Sequence, residues 1–65
     1  MQVTINGNID EVPSGASVRD VLTARNLPQN AVIVELNGEI IRKEDWDMVL
    51  SSDDSIEIVR IVGGG

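Results

Sequence analysis

Not one cysteine occurs among the 65 residues, and for so short a chain that is the strongest constraint on how it can fold. A domain of this size sits close to the lower limit for independent folding. With no disulfide and no thiolate-held metal, its core has to come from economical packing of a few regular elements, each burying one face. The lack of His and Tyr carries the constraint into chemistry. The thiol nucleophile, the commonest general acid–base residue and the commonest metal ligand are all missing. A nucleophile–base pair could be built only from Ser, Lys43 and carboxylates, so the chain is expected not to be an enzyme.

Hydrophobic periodicity supplies the elements. "MQVTI" alternates, with Met1, Val3 and Ile5 on one face, and Asn6-Gly7 is a strong hairpin signal. A two-residue turn would set Val3 opposite Asp10 and leave Ile9 on the other face, so a longer loop or a bulge is expected in "NIDEV". "PSGA" breaks the strand. Ser17 then reads as a helix N-cap with Asp20 at the third helical position. Val18, Val21 and Leu22 form an i, i+3, i+4 stripe, and the helix should end near Asn26, because Pro28 disfavours a helical Leu27. "AVIVEL" is a β-branched run suited to a buried strand, turned by Asn37-Gly38 into "EII". "RKEDW" and "DMVL" read as a turn or short helix followed by an edge strand. "SSDDS" is a turn, and "IEIVRIV" is the last strand.

One helix on one face of a mixed four- to five-stranded sheet is an α+β solution. The first and last strands both read as well buried, which places them side by side in the middle, a β-grasp arrangement. The expected organisation is a β-grasp domain over residues 1–62 and a flexible tail over 63–65.

Eleven acidic residues against five basic ones give a net charge of −6. Such a surface repels phosphate backbones, so nucleic acid is not an expected partner. Six carboxylates lie between Glu44 and Glu57 with no Lys or Arg among them. They read as a solvated face or as a docking surface for a basic partner. No run approaches bilayer-spanning length, and Met1 opens into a strand pattern rather than a signal peptide. No membrane partner is expected, and the location expected is cytoplasmic. Asp53-Asp54 lacks the ligand spacing of a calcium loop, and no metal site is expected.

The sequence closes on "RIVGGG", an apolar strand followed by Gly63, Gly64 and Gly65. Turn, cap and close-approach roles for glycine do not exist at a free end. The glycines are either leftover flexible sequence or a means of passing a terminal carboxylate into a narrow place. As a phosphate-binding loop they fail, since no Lys, Ser/Thr or helix follows them.

The whole chain resembles the ThiS family, the ubiquitin-like sulfur carriers of thiamin biosynthesis. The likeness lies in "LNGEII", a basic residue, "ED" and Trp46, in "DSIEIVRIVGGG", in the "NG" after strand one and in "V-x-D-V-L" in the helix. Arg42 stands where that family often has Pro, and Asp54 where a Gly commonly follows an Asp. The resemblance implies a ubiquitin-like β-grasp and a carrier that is acted on by other enzymes. The carboxylate of Gly65 would be adenylated by a ubiquitin-activating-type (ThiF-like) adenylyltransferase, which binds the ATP and Mg; this chain would hold no cofactor. A sulfur donor protein would convert the adenylate to a thiocarboxylate, and a ThiG-like thiazole synthase would take the sulfur for the thiazole ring of thiamin. Gly63 and Gly64 would let the tail thread, and Arg60, Ile61 and Val62 would contact the partner. Arg60 as an ordinary solvated strand residue and Trp46 as a core-edge aromatic are the plain alternatives to partner contacts. Two other functions stay open: a carrier for another pathway, of the molybdopterin synthase small-subunit type, and a β-grasp interaction module with an inert tail.

Overall fold

A computed structural model describes residues 1–62. The elements run β1 (Gln2–Ile5), β2 (Asn8–Glu11), α1 (Val18–Ala24), β3 (Val32–Leu36), β4 (Glu39–Ile41), a 3₁₀ turn (Lys43–Asp45) and β5 (Ser55–Arg60). The five strands form one sheet in the order β2-β1-β5-β3-β4. β1 and β5 lie parallel at its centre, and the other neighbours are antiparallel. With α1 packed on one face, this is the expected β-grasp. The tail expected over Gly63–Gly65 lies outside the described residues.

Local chemistry sets the helix. The Ser17 hydroxyl accepts from the Asp20 N–H at 3.1 Å, and the Asp20 carboxylate accepts from the Ser17 N–H at 2.9 Å, a complete capping box. At the other end Asn26 takes a left-handed φ of 56°. The Leu27 N–H then reaches the Leu22 carbonyl and the Asn26 N–H reaches that of Thr23. This is a Schellman closure with Asn in the position glycine usually fills. Val18, Val21 and Leu22 face inward and join Val3, Ile5, Val32, Val34, Trp46, Leu50, Ile56 and Ile58 in the core.

Two expectations are corrected. The first hairpin has neither a bulge nor a long loop. Asn6 and Gly7 have φ of 50° and 85°, a two-residue type I′ turn. Val3 sits opposite Asp10 and Ile5 opposite Asn8, and the cost is an exposed Ile9. "DMVL" is not an edge strand. It makes an isolated bridge from Val49 to Ser17, and the Leu50 N–H donates to the Ala16 carbonyl at 2.8 Å. The 46–50 segment therefore wraps the start of α1, while the sheet edge on that side is β4.

Both Asn-Gly turns also reach β5. The Asn6 side-chain oxygen accepts from the Ile58 N–H at 2.7 Å. That of Asn37 accepts from the Ser55 N–H at 2.8 Å, while its amide donates to Asp54 at 3.0 Å. β1 ends at Ile5, so without Asn6 the ladder alongside the far half of β5 would stop short. Asp54 also accepts from the Ser51 N–H at 2.8 Å, and the positive φ of that turn falls on Asp53, at 69°. The turn thus closes without a glycine.

Candidate functional site

The candidate site is the far end of β5 together with the sheet surface that α1 leaves uncovered. β5 pairs with β3 from Leu36↔Ile56 to Val32↔Arg60, and one further bond runs from the Ile61 N–H to the Ala31 carbonyl at 2.8 Å. Arg60 and Ile61 are thereby fixed by the ladder, and Val62 projects beyond it, 90% exposed.

Strand alternation sorts the side chains of β5. Ile56 and Ile58 point to the helix and are buried, while Ser55, Glu57 and Val59 point to the open face. On that face Val59 lies directly opposite Ile33. Ile40 of β4 lies opposite Glu35, diagonal to Ile33. Ile33, Ile40, Val59 and Ile61 are all exposed, so an apolar row crosses three strands and runs toward the end of β5. "AVIVEL" and the last strand are buried on one face only. This surplus was readable as a signal: a continuous apolar strand needs cover on both faces, and one short helix can cover only one. The exposed residues are the ones left over.

The electrostatics of the open face are uneven. Glu35 and Glu57 lie directly across the ladder from each other, a like-charge pairing that opposes sheet stability. The rest of the Glu44–Glu57 acidic run is partly committed within the chain. Glu44 pairs with Arg42 at 3.0 Å and Asp47 with Arg19 at 2.7 Å, and Asp54 closes its turn. Trp46 is 3% exposed, so it belongs to the core. Arg19 caps it, 5.7 Å from the ring centroid, while its guanidinium also donates to Gln29 and to the Lys43 carbonyl. The "KEDW" stretch is thus a stapled corner.

Of the site residues read from sequence, Arg60, Ile61 and Val62 emerge together at the end of β5, on alternating sides. Gly63, Gly64 and Gly65 lie outside the described residues. The sequence reading missed the apolar row, and also Arg25, whose C-cap position on α1 brings it near the same end of the sheet. Among the described residues no cluster of three or more His, Cys, Asp or Glu could hold a metal ion, and no helix is long and apolar enough to cross a membrane.

A small mixed sheet with its last strand central and one crossing helix defines a ubiquitin-like β-grasp domain. The family model of ThiS matches residues 3–65. A crystal structure of the thiamine biosynthesis protein ThiS from Geobacter metallireducens superposes with a TM-score of 0.82 at 33% identity, over 100% of both chains. The sulfur carrier protein ThiS of Bacillus subtilis is 48% identical over 50 residues, which is 75% of this chain and 76% of that one. A thiazole synthase of Magnetococcus marinus is 29% identical over 66 residues, covering all of this chain but 20% of the synthase. The chain belongs to the ThiS family.

Proposed function

We propose that this chain is a sulfur carrier of thiamin biosynthesis whose reactive group is the Gly65 carboxylate. A carboxylate is a poor electrophile, because its charge repels nucleophiles and oxide is a poor leaving group. Adenylation removes both obstacles. A ubiquitin-activating-type adenylyltransferase joins the carboxylate to the α-phosphate of ATP, and pyrophosphate leaves. Sulfide delivered by a donor protein attacks the acyl carbon, the C–O bond to AMP breaks, and a glycyl thiocarboxylate remains. ATP and Mg belong to the activating partner. The thiocarboxylate then gives its sulfur to a thiazole synthase, and the carrier acts as a co-substrate rather than a catalyst.

The observation that carries this reading is the family match extending to residue 65, through all three glycines. Glycine fits the task, since a tail without β-carbons meets no side-chain clash in two differently shaped active sites. A segment like this chain within a thiazole synthase supports that enzyme as the acceptor. The apolar row of Ile33, Ile40, Val59 and Ile61 is the docking surface, with Glu35 and Glu57 favouring a partner whose rim is basic.

The test is the mass of the intact protein after incubation with the activating-enzyme homologue of the same genome, Mg-ATP and a sulfide source. Replacement of one oxygen by sulfur at Gly65 is expected. Fragmentation has to locate it, because oxidation of Met1 or Met48 gives a similar gain. Deleting Gly64 and Gly65 should leave folding unchanged and abolish the product; transfer that survives the deletion refutes the mechanism.

A further inference from the structure

The chain has five basic side chains, and four are engaged. Arg19 pairs with Asp47, Arg25 with Asp10 and Arg42 with Glu44, while Lys43 donates to Asn30 at 2.8 Å. Arg60 alone has no side-chain polar partner among the described residues. By strand alternation it follows Ile56 and Ile58 on the helix side of β5, opposite to the apolar row. There it lines a cleft of about 520 Å³ with Asn6, Arg25, Leu27 and Ile58. Its lining combines two aliphatic side chains, Leu27 and Ile58, with two guanidinium-bearing side chains and one carboxamide. Asn6 has its side-chain oxygen committed to Ile58, which turns its NH₂ toward the donor role. Arg25 holds Asp10 through one terminal nitrogen, at 2.7 Å, and a guanidinium has five N–H groups. Among the described residues no carboxylate lines the cleft. In a chain of net charge −6, Arg25 keeps donors to spare and Arg60 has no carboxylate partner among the described residues, at the root of the segment that has to be threaded.

We propose that the Arg25–Arg60 cleft receives an aspartate or glutamate side chain from the mouth of the activating enzyme's tail channel. The latch would grip the root of the tail from the helix side while the apolar row docks from the other. This rests on the carrier reading above. Two guanidiniums, and a carboxamide whose oxygen is already engaged by Ile58, leave N–H donors to offer, which is the complement of a carboxylate. The nucleotide is excluded as the anion by reach. Gly65 lies five positions beyond Arg60, about 17 Å in the extended form that threading requires, so the cleft stays at the channel mouth while the phosphates meet the far end. Recognition belongs at the adenylation step because that step commits ATP, and an ion pair there discriminates against tails lacking the arginines.

The test is steady-state thiocarboxylate formation by the full chain with the activating-enzyme homologue, Mg-ATP and sulfide, read by intact mass at varied carrier concentration. Arg60→Gln should raise KM about tenfold with kcat little changed, and should reduce the dependence of kcat/KM on salt. Arg60→Lys should recover part of the loss. Arg25→Gln should act in the same direction. Asp10→Asn, which breaks the same internal pair but leaves the arginine in place, should not raise KM. Arg60→Gln should also keep the wild-type urea midpoint, since Arg60 has no side-chain polar partner among the described residues. A KM for Arg60→Gln within twofold of wild type, or a loss confined to sulfur delivery to thiazole synthase, overturns the latch while leaving the carrier reading intact. Failure of an active enzyme to convert wild type overturns both.

Discussion

Removing the Asn6 side chain tests whether the first turn holds the working end of β5. Asn6 does two separable things. Its backbone sits at φ 50°, which glycine tolerates and alanine resists, and its side-chain oxygen accepts from the half-buried Ile58 N–H at 2.7 Å. Asn6→Gly keeps the first and deletes the second. A buried donor without an acceptor costs about 1–3 kcal/mol, and the freer unfolded chain of the glycine variant adds about 0.5–1 kcal/mol. Ile58 lies two residues beyond the last β1–β5 pair, where water can partly replace the lost acceptor, so the expected loss is about 1.5–3 kcal/mol. A domain this small has roughly 3–10 kcal/mol in total, and each kcal/mol moves its Tm by about 4–8 °C. Asn6→Asp retains an acceptor and should stay within about 0.5 kcal/mol of wild type. Asn6→Ala adds left-handed strain of roughly 1–2 kcal/mol and should be the least stable of the three. Urea unfolding followed by the fluorescence of Trp46, the sole aromatic residue, gives the free energies, and hydrogen exchange at the Ile58 amide reports the bond itself. If Asn6→Gly matches wild type in stability and the Ile58 amide stays equally protected, the turn does not hold β5 and the reasoning fails.

Leu22 is fully buried at the centre of the core, and Leu22→Ala should cost about 2–5 kcal/mol; circular dichroism at 37 °C is expected to show a largely unfolded chain, and a cooperative wild-type-like melt would contradict the packing. Asn26→Gly should be neutral or slightly stabilising and Asn26→Ala should lose about 1 kcal/mol, because the helix closure needs a left-handed residue; equal urea midpoints for the two variants would count against the Schellman geometry. The Arg25 hydrogen bond, and then the Glu11 N–H, hold the Asp10 carboxyl below its usual 3.8. A pKa lowered by folding contributes stability that is complete above the unfolded value and is lost as pH falls through the folded one. The stability gap between wild type and Asp10→Asn should therefore close between about pH 5 and pH 2, and a gap that widens on acidification would reverse the assignment.

How much was legible in the sequence depended on how local the physics was. The α1 cap is local: Ser17 and Asp20 are three residues apart, and the Val18, Val21, Leu22 stripe needs only helical spacing. The two Asn-Gly turns are local in the same sense. The central pairing of β1 with β5 came from their apolar content, which tracks burial. Errors arose where burial was assumed for every apolar residue. Ile9 was given an inward position, so the simple two-residue turn looked wrong; Met48, Val49 and Leu50 looked like a strand, though of these only Leu50 is buried. The reach of Asn6 to Ile58 spans 52 residues, and no local pattern encodes it. The arginine cleft is equally non-local, since Arg25 closes a helix and Arg60 ends a strand.

The position of β5 and the excess of apolar surface answer the same mechanical demand. On the proposed mechanism the end is drawn into an enzyme, which places tension on the strand that carries it, and an edge strand held by one neighbour would peel. β5 is bonded to β3 along five residue pairs and to β1 along two, with Asn6 extending the shorter side and Ile61 tied to Ala31. A central strand is normally silent on both faces. Here a single seven-residue helix covers one face and leaves Val59 and Ile33 open on the other, beside the emerging end. The strand that resists being pulled is therefore also the strand that carries the proposed docking surface, and a partner seated on Val59 would load the ladder in shear across several hydrogen bonds. Extending α1 or burying the open face would add stability and remove the proposed docking surface, so on this reading the small core is a condition of the carrier function.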